Sequence, residues 1–236
     1  MYRVFKFGGA SIKDASSIIN VCKILKSYAK EDLIIVFSAI GKGTNMLEKI
    51  VDAYFYNEDD PFRLLEEIKK THFNIIDSLF IKNHSIYNDI NNLFVEIEWV
   101  IEEQEVNNEY SYLYDQIVSV GEFISTKILS VYLHECGFEN ELIDVRDLIR
   151  TDNTYRNAKI DWKTTTNFIN NNIKSKCCIT QGFIGCTSEN FTTTLGREGS
   201  DFTAAILAYA LEVKNVVIWK DVPGMMNADP NFFHES

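Results

Sequence analysis
Tyr2-Arg3-Val4-Phe5-Lys6-Phe7-Gly8-Gly9-Ala10-Ser11 is an apolar run of strand length, broken by two glycines and followed at once by helical spacing. Ile12, Ala15, Ile18, Val21, Cys22, Leu25 and Tyr28 recur every three or four residues, with Ser11 or Asp14 placed to cap the start. A strand that turns through glycines into a helix makes a seat for an anion. The backbone can pass close to a ligand at the glycines, and the helix start presents free N–H groups and the positive end of its dipole. Strand alternation turns Lys6 to the same side as Val4, so its ammonium emerges beside the turn. That is the edge at which open α/β sheets bind ligands. The bland reading of the same residues is an ordinary βα turn with a lysine reaching for water, and the rest of the chain has to decide between the two.

Leu33-Ile34-Ile35-Val36-Phe37 is a continuous apolar run of the kind buried on both faces of a parallel sheet, so the opening reads as a βαβ unit. Ser38-Ala39-Ile40-Gly41-Lys42-Gly43-Thr44-Asn45 repeats the arrangement and places hydroxyls, glycines and a second lysine at the same sheet edge. Residues 61–136 are helical in pattern almost throughout, with breaks at Asn83 and Asn107-Asn108, and residues 61–105 read as a helical excursion off the sheet. Ser119-Val120-Gly121-Glu122 interrupts an apolar helix face. A glycine there costs about 1 kcal/mol against alanine and signals a close approach. Residues 138–145 and 177–183 read as further strands, 161–172 as a helix and 191–195 as a short threonine-rich strand. Gly196-Arg197-Glu198-Gly199-Ser200-Asp201 then opens a helix over 202–211, and a last strand at 216–219 runs into Lys220-Asp221-Val222-Pro223-Gly224.

The 236 residues, 46% of them hydrophobic, suffice for one large α/β domain or two small ones. A net charge of −11 without a basic patch argues against nucleic acid and against anionic membrane surfaces as partners. An anionic small ligand therefore needs a locally positive pocket. The five cysteines form no Cys-x-x-Cys pair, which fits reduced core thiols and a cytoplasmic protein better than a disulfide frame or a zinc site. No signal-peptide pattern and no apolar run near the roughly 18 residues of a membrane span is present. His72, His84 and His134 lack a second ligand at helical spacing and read as packed or solvated, and Tyr110, Tyr112 and Tyr114 as packing.

Six motifs in register, Lys-Phe-Gly-Gly-Ala-Ser at 6–11, Ser-Ala-Ile-Gly-Lys-Gly-Thr-Asn at 38–45, Ser-Val-Gly-Glu at 119–122, Gln-Gly-Phe at 181–183, Gly-Arg-Glu-Gly-Ser-Asp at 196–201 and Lys-Asp-Val-Pro-Gly with Ala-Asp-Pro within 220–230, resemble the aspartate kinases of the amino acid kinase family. The resemblance covers nearly the whole chain. It implies an α/β fold, a three-layer αβα sandwich around an open, mostly parallel twisted sheet of about eight strands. It also implies ATP-dependent phosphorylation of the β-carboxylate of L-aspartate, with Mg²⁺ carried on the ATP and no protein side chain assigned as a metal ligand. The product, 4-phospho-L-aspartate, opens lysine, threonine and methionine synthesis. The partners so implied are L-aspartate, ATP and, in a homodimer, a second copy of the chain.

By position, the resemblance makes Lys6 and Asp201 the catalytic pair, with Asp201 orienting the lysine that meets the transferring phosphoryl group. Ser38, Thr44, Glu122 and Arg197 fall at the substrate positions, Arg197 as a fork for the α-carboxylate and Glu122 as the partner of the ammonium. Gly8, Gly9, Ser11, Lys220, Asp221, Met226 and Asp229 fall at the phosphate and nucleotide positions. The chain departs from the pattern at Ala10, Met226 and Asn231, and at Glu198, which stands where a second glycine is usual. Members continue beyond the point where this sequence stops, through a further nucleotide-side stretch and ACT regulatory domains, so the resemblance implies a catalytic domain cut short at its C-terminal end. Two other readings share these residues: a family member acting on a different carboxylate, and a non-catalytic aspartate-binding or assembly module.

Overall fold
β1 (Arg3–Phe7) lies between β2 (Leu33–Phe37) and β7 (Val216–Trp219) and pairs in parallel with both. Beyond β2 the sheet continues through β4 (Cys177–Gln181) to β3 (Glu141–Ile143), also in parallel. The computed structural model describes residues 1–103 and 109–220. The resemblance leads to about eight strands. Among the described residues there are seven, five in this sheet and two in an antiparallel hairpin of β5 (Ile184–Cys186) and β6 (Thr192–Thr194).

Every residue of β2 is buried, as its unbroken apolar sequence requires. Alternation sends Phe5, Phe7, Ile35 and Phe37 into one core and Val4, Ile34 and Val36 into the other. The first core is closed by α1 (Ala15–Ser27), α2 (Gly43–Tyr56), α5 (Tyr110–Val118) and α6 (Val120–Glu135), through residues such as Leu25, Ile50, Ile117 and Ile128. The second is closed by α7 (Trp162–Asn172) and α8 (Gly199–Ala210), through Ile169, Ala204 and Leu207. Helices cover both faces of one sheet, which is the three-layer sandwich. Each fully buried Ile, Leu or Phe contributes roughly 1.5–3 kcal/mol of transfer free energy.

The helical excursion is α3 (Pro61–Leu79) and α4 (Ile86–Glu102), which stack chiefly on α2 and α6 and so form an outer tier. Asp60 caps α3 by accepting the Phe62 and Arg63 N–H groups, with Pro61 in the first turn where its missing N–H is harmless. The Asn107-Asn108 break lies outside the described residues. All five cysteines are free thiols, and no helix among the described residues is long and apolar enough to cross a membrane.

Candidate active site
Phe7, Phe37, Gln181 and Trp219 end their strands in register, so the loops that follow them meet along one edge of the sheet. A cavity of about 510 Å³ opens there, lined by Lys6, Ser38, Thr44, Glu122 and Arg197 together with Tyr114, Glu48, Arg156 and Phe183. All five of the first group were singled out from sequence. A larger cavity, about 650 Å³, lies at the opposite end of the strands among residues 29–31, 137–141 and 175–177, and contains none of them.

Lys6 is only 6% exposed, and its alternation is as read: it points to the Val4 side, toward α8. Its Nζ lies 2.6 Å from Asp201 Oδ1, in the first turn of α8. Lys220, just past β7, approaches the other oxygen of Asp201 at 3.5 Å. Burial works to raise the Asp201 pKa, but the Lys6 and Lys220 ammoniums outweigh it and hold the carboxyl below its ordinary value. Asp201 therefore stays ionised and fixes two cations at the sheet edge.

Glu122 is held the other way. It sits in the first turn of α6 at 2% exposure, where Oε1 accepts the Ala39 N–H at 3.4 Å and Oε2 is buried without a hydrogen-bond partner among the described residues. Desolvation dominates and pushes its pKa up to about 8, against the Ala39 and its own backbone N–H groups and Lys6. The close approach that Gly121 signalled is real: a Cβ there would stand 2.9 Å from Leu47 Cδ1 and 3.2 Å from Ala39 Cβ. A side chain there would press on Leu47 and Ala39, where α6 brings Glu122 up to the loop after β2.

The glycine turn differs from its sequence reading. A 3-10 turn, Gly9–Ile12, follows β1, and α1 starts only at Ala15. Its first turn is already capped by Asp14, which accepts the Ser17 N–H at 2.8 Å. An anionic cap makes the start of α1 a poor anion seat. What faces the sheet edge is the short turn itself. Gly9 serves a backbone contact: a Cβ on it would lie 2.5 Å from the Gly41 oxygen and 2.6 Å from the Ala39 oxygen. Ser11 donates to the Trp219 carbonyl at 3.4 Å, tying this turn to the end of β7.

Ser38 begins the loop after β2, and Thr44 is the second residue of α2, so both reach the cavity from the loop that Gly9 packs against. Arg197 is exposed at the rim and makes no ion pair among the described residues. Asp221, Met226 and Asp229 lie outside the described residues. Sequence reading passed over Glu48, Tyr114, Arg156 and Phe183. Sequence alone gives Tyr114 as packing and Phe183 only as part of a motif. Asp115 was missed as well: fully buried, it accepts the Thr194 hydroxyl at 2.6 Å and the Thr194 and Arg156 N–H groups, and burial lifts its pKa to about 6.

The fold and this cavity define a class, an open-sheet α/β protein with a charged cavity at the C-terminal edge of its strands, the edge at which such sheets bind ligands. Residues 1–235 match the model of the amino acid kinase family, and the chain belongs to that family. It is 33% identical over 231 residues to the lysine-sensitive aspartokinase 3 of Escherichia coli, with 96% of this chain and 50% of that protein covered. It is 30% identical over 250 residues to the chloroplastic aspartokinase 3 of Arabidopsis thaliana, covering 98% of this chain and 42% of that one. Among solved structures, E. coli aspartokinase III in complex with aspartate and ADP superposes with a TM-score of 0.88 at 33% identity, over 98% of this chain and 52% of that one. The chain thus spans about half the length of these relatives.

Proposed function
We propose that this chain carries the aspartate-binding and phosphoryl-transfer centre of an aspartate kinase, forming 4-phospho-L-aspartate from L-aspartate and ATP in the cytoplasm. The observation that carries the reading is one cavity lined both by Lys6, which is ion-paired to Asp201, and by Glu122, a buried, half-satisfied carboxylate. A β-carboxylate with an ordinary pKa near 3.9 is ionised at neutral pH and needs no general base. The difficulty is bringing two anions together, which asks for positioning and fixed positive charge.

Lys6, oriented by Asp201, supplies that charge next to the acceptor carboxylate, and Lys220 extends it toward the nucleotide. Ser38 and Thr44 offer hydroxyls to the substrate. Glu122 receives the α-ammonium, and Arg197 is free to fork onto the α-carboxylate. The donor set fits ATP phosphates. For Mg²⁺, no cluster of three metal-ligating side chains occurs among the described residues, and Asp201 is committed to lysines, which suits an ion held mainly by phosphate oxygens and water. When bound, Mg²⁺ would neutralise phosphate charge.

The test is trapping of the acyl phosphate with hydroxylamine in the presence of MgATP and L-aspartate, with Lys6→Ala as blank. Product above the blank supports the kinase. Aspartate binding by calorimetry without turnover would leave a binding module, and absence of both in folded protein would remove aspartate as the ligand.

A further inference from the structure
Arg156 lines the same cavity as Glu122 and Arg197, yet no motif contains it. Its backbone is left-handed, with φ at +67°, which is uncommon for a long side chain. Three sets of contacts fix it there. Its N–H donates to both oxygens of buried Asp115, at 3.1 and 3.0 Å. Its carbonyl lies 3.4 Å from where a Cβ on Gly196 would stand, so its loop abuts the turn that presents Arg197. Its guanidinium lies over the Tyr114 ring, 4.3 Å from the centroid, while one nitrogen donates to Glu48 Oε1 at 3.2 Å. Glu48 stands one helical turn after Thr44 on α2, so Arg156 is anchored beside one of the residues that the resemblance assigns to the amino-acid substrate, in the cavity that Glu122 and Arg197 also line. The Glu48 contact uses one N–H of the fork, and the others have no partner among the described residues.

We propose that Arg156 is a specificity-determining residue, a second guanidinium that with Arg197 clamps the α-carboxylate of the amino-acid substrate. The inference rests on the aspartate reading above. A planar fork stacked on a tyrosine is pre-organised, so it loses little freedom when it takes up a carboxylate. The clamp selects α-amino acids over ligands that carry only the reacting carboxylate and the ammonium.

The experiment compares calorimetric affinities of the full chain for L-aspartate and for its α-amide, in which the α-carboxylate is neutral. Arg156→Gly removes the guanidinium while suiting the left-handed backbone, which protects the fold. The expected result is an L-aspartate affinity weakened about 10- to 100-fold, an α-amide affinity within about threefold of wild type, and unchanged MgATP binding. Arg156→Lys, with charge but no fork, falls between. Arg156→Gly binding L-aspartate like wild type, or losing both ligands equally, overturns the proposal and leaves the aspartate reading standing. A wild-type chain that binds no L-aspartate removes that reading, and the clamp with it.

Discussion
Asp201, ion-paired to the Lys6 that lines the cavity, and Glu122, which lines it directly, are held in opposite states. Asp201 lies between two ammoniums that keep its pKa below the ordinary value, whereas Glu122 is buried with one oxygen unpartnered among the described residues and its pKa raised to about 8. One half of the site is electrostatically complete before any ligand arrives. In the other half, Glu122 Oε2 has no hydrogen-bond partner among the described residues. Paired carboxylates whose environments push them apart mark a division of labour: on the function proposed above, the Asp201 side would hold charge in place for phosphoryl transfer, and the Glu122 side would be completed by the ammonium of the incoming amino acid.

Removing the fixed charge is the most direct way to break this contrast. Lys6→Ala should lower trapped acyl phosphate by about 10³-fold, the scale of losing one transition-state donor in a dry site, while calorimetric aspartate affinity moves by less than about tenfold. Retention of more than a tenth of the turnover would mean that Lys220 carries the transfer, and the complete half would have been assigned to the wrong lysine. Glu122→Gln attacks the other half. It should weaken L-aspartate by about 100-fold, as for a buried charge left unmatched, and raise the melting temperature at pH 8, since the amide has no charge to desolvate. Loss of binding accompanied by a lower melting temperature would show that the carboxylate is structural.

The halves also touch. The Ala39 oxygen packs against Gly9 while the Ala39 N–H donates to Glu122, so the phosphate-side turn and the amino-acid-side carboxylate share one residue. Gly9→Ala drives a methyl into two backbone oxygens that cannot swing away, and should cost about 2 kcal/mol, roughly 4–8 °C in melting temperature for a chain of this size. If aspartate affinity survives that shift unchanged, the two halves are independent.

A pH series sharpens the contrast further. The folded pKa of Glu122 is raised from 4.5 to about 8, so its protonated form favours the fold. That contribution is full below about pH 4.5 and is lost as pH rises through about 8. An ammonium ligand needs the ionised form, so binding must expel a proton in the same window. Aspartate affinity should therefore climb from pH 6 to pH 8 by up to about tenfold per unit, and calorimetry in buffers of different ionisation enthalpy should register proton release. A flat profile would place the ammonium elsewhere. The Glu122→Gln variant serves as the flat control.

Much of this was legible in the residues. The apolar runs at 3–7 and 33–37 are covered parallel strands, the lysine alternation was right, and the motif loops converge because each follows a strand of one parallel sheet. What escaped reading depends on tertiary contact. The turn after Gly8 stops short of a helix because Gly9 is spent on the Ala39–Gly41 backbone, 30 residues away, and no local pattern shows it. Asp115 has the spacing of an ordinary helix residue. Its burial is created by β6 and the Arg156 loop packing over it. Arg156 itself gives no sign in sequence, since an arginine does not announce a left-handed backbone.

Glu198 offers the smallest effect and a clean one. It stands between Arg197 of the amino-acid half and Asp201 of the phosphate half, exposed, with φ at +58° as the residue before α8. The usual glycine of this motif has a physical reason here: the turn demands a conformation that costs a residue with a Cβ about 1–2 kcal/mol. Glycine returns part of that gain through greater freedom in the unfolded chain, about 0.5–1 kcal/mol, so Glu198→Gly should stabilise by about 0.5–1 kcal/mol and raise the melting temperature by about 2 °C. Glu198→Ala removes the same charge but keeps the strained backbone, and should not be stabilised. If both variants stabilise equally, the benefit is electrostatic and comes from removing the Glu198 charge next in sequence to Arg197 and near Asp201. If only the glycine variant gains, and aspartate affinity is the same in both, Glu198 belongs to neither half, and the division between Asp201 and Glu122 stands without it.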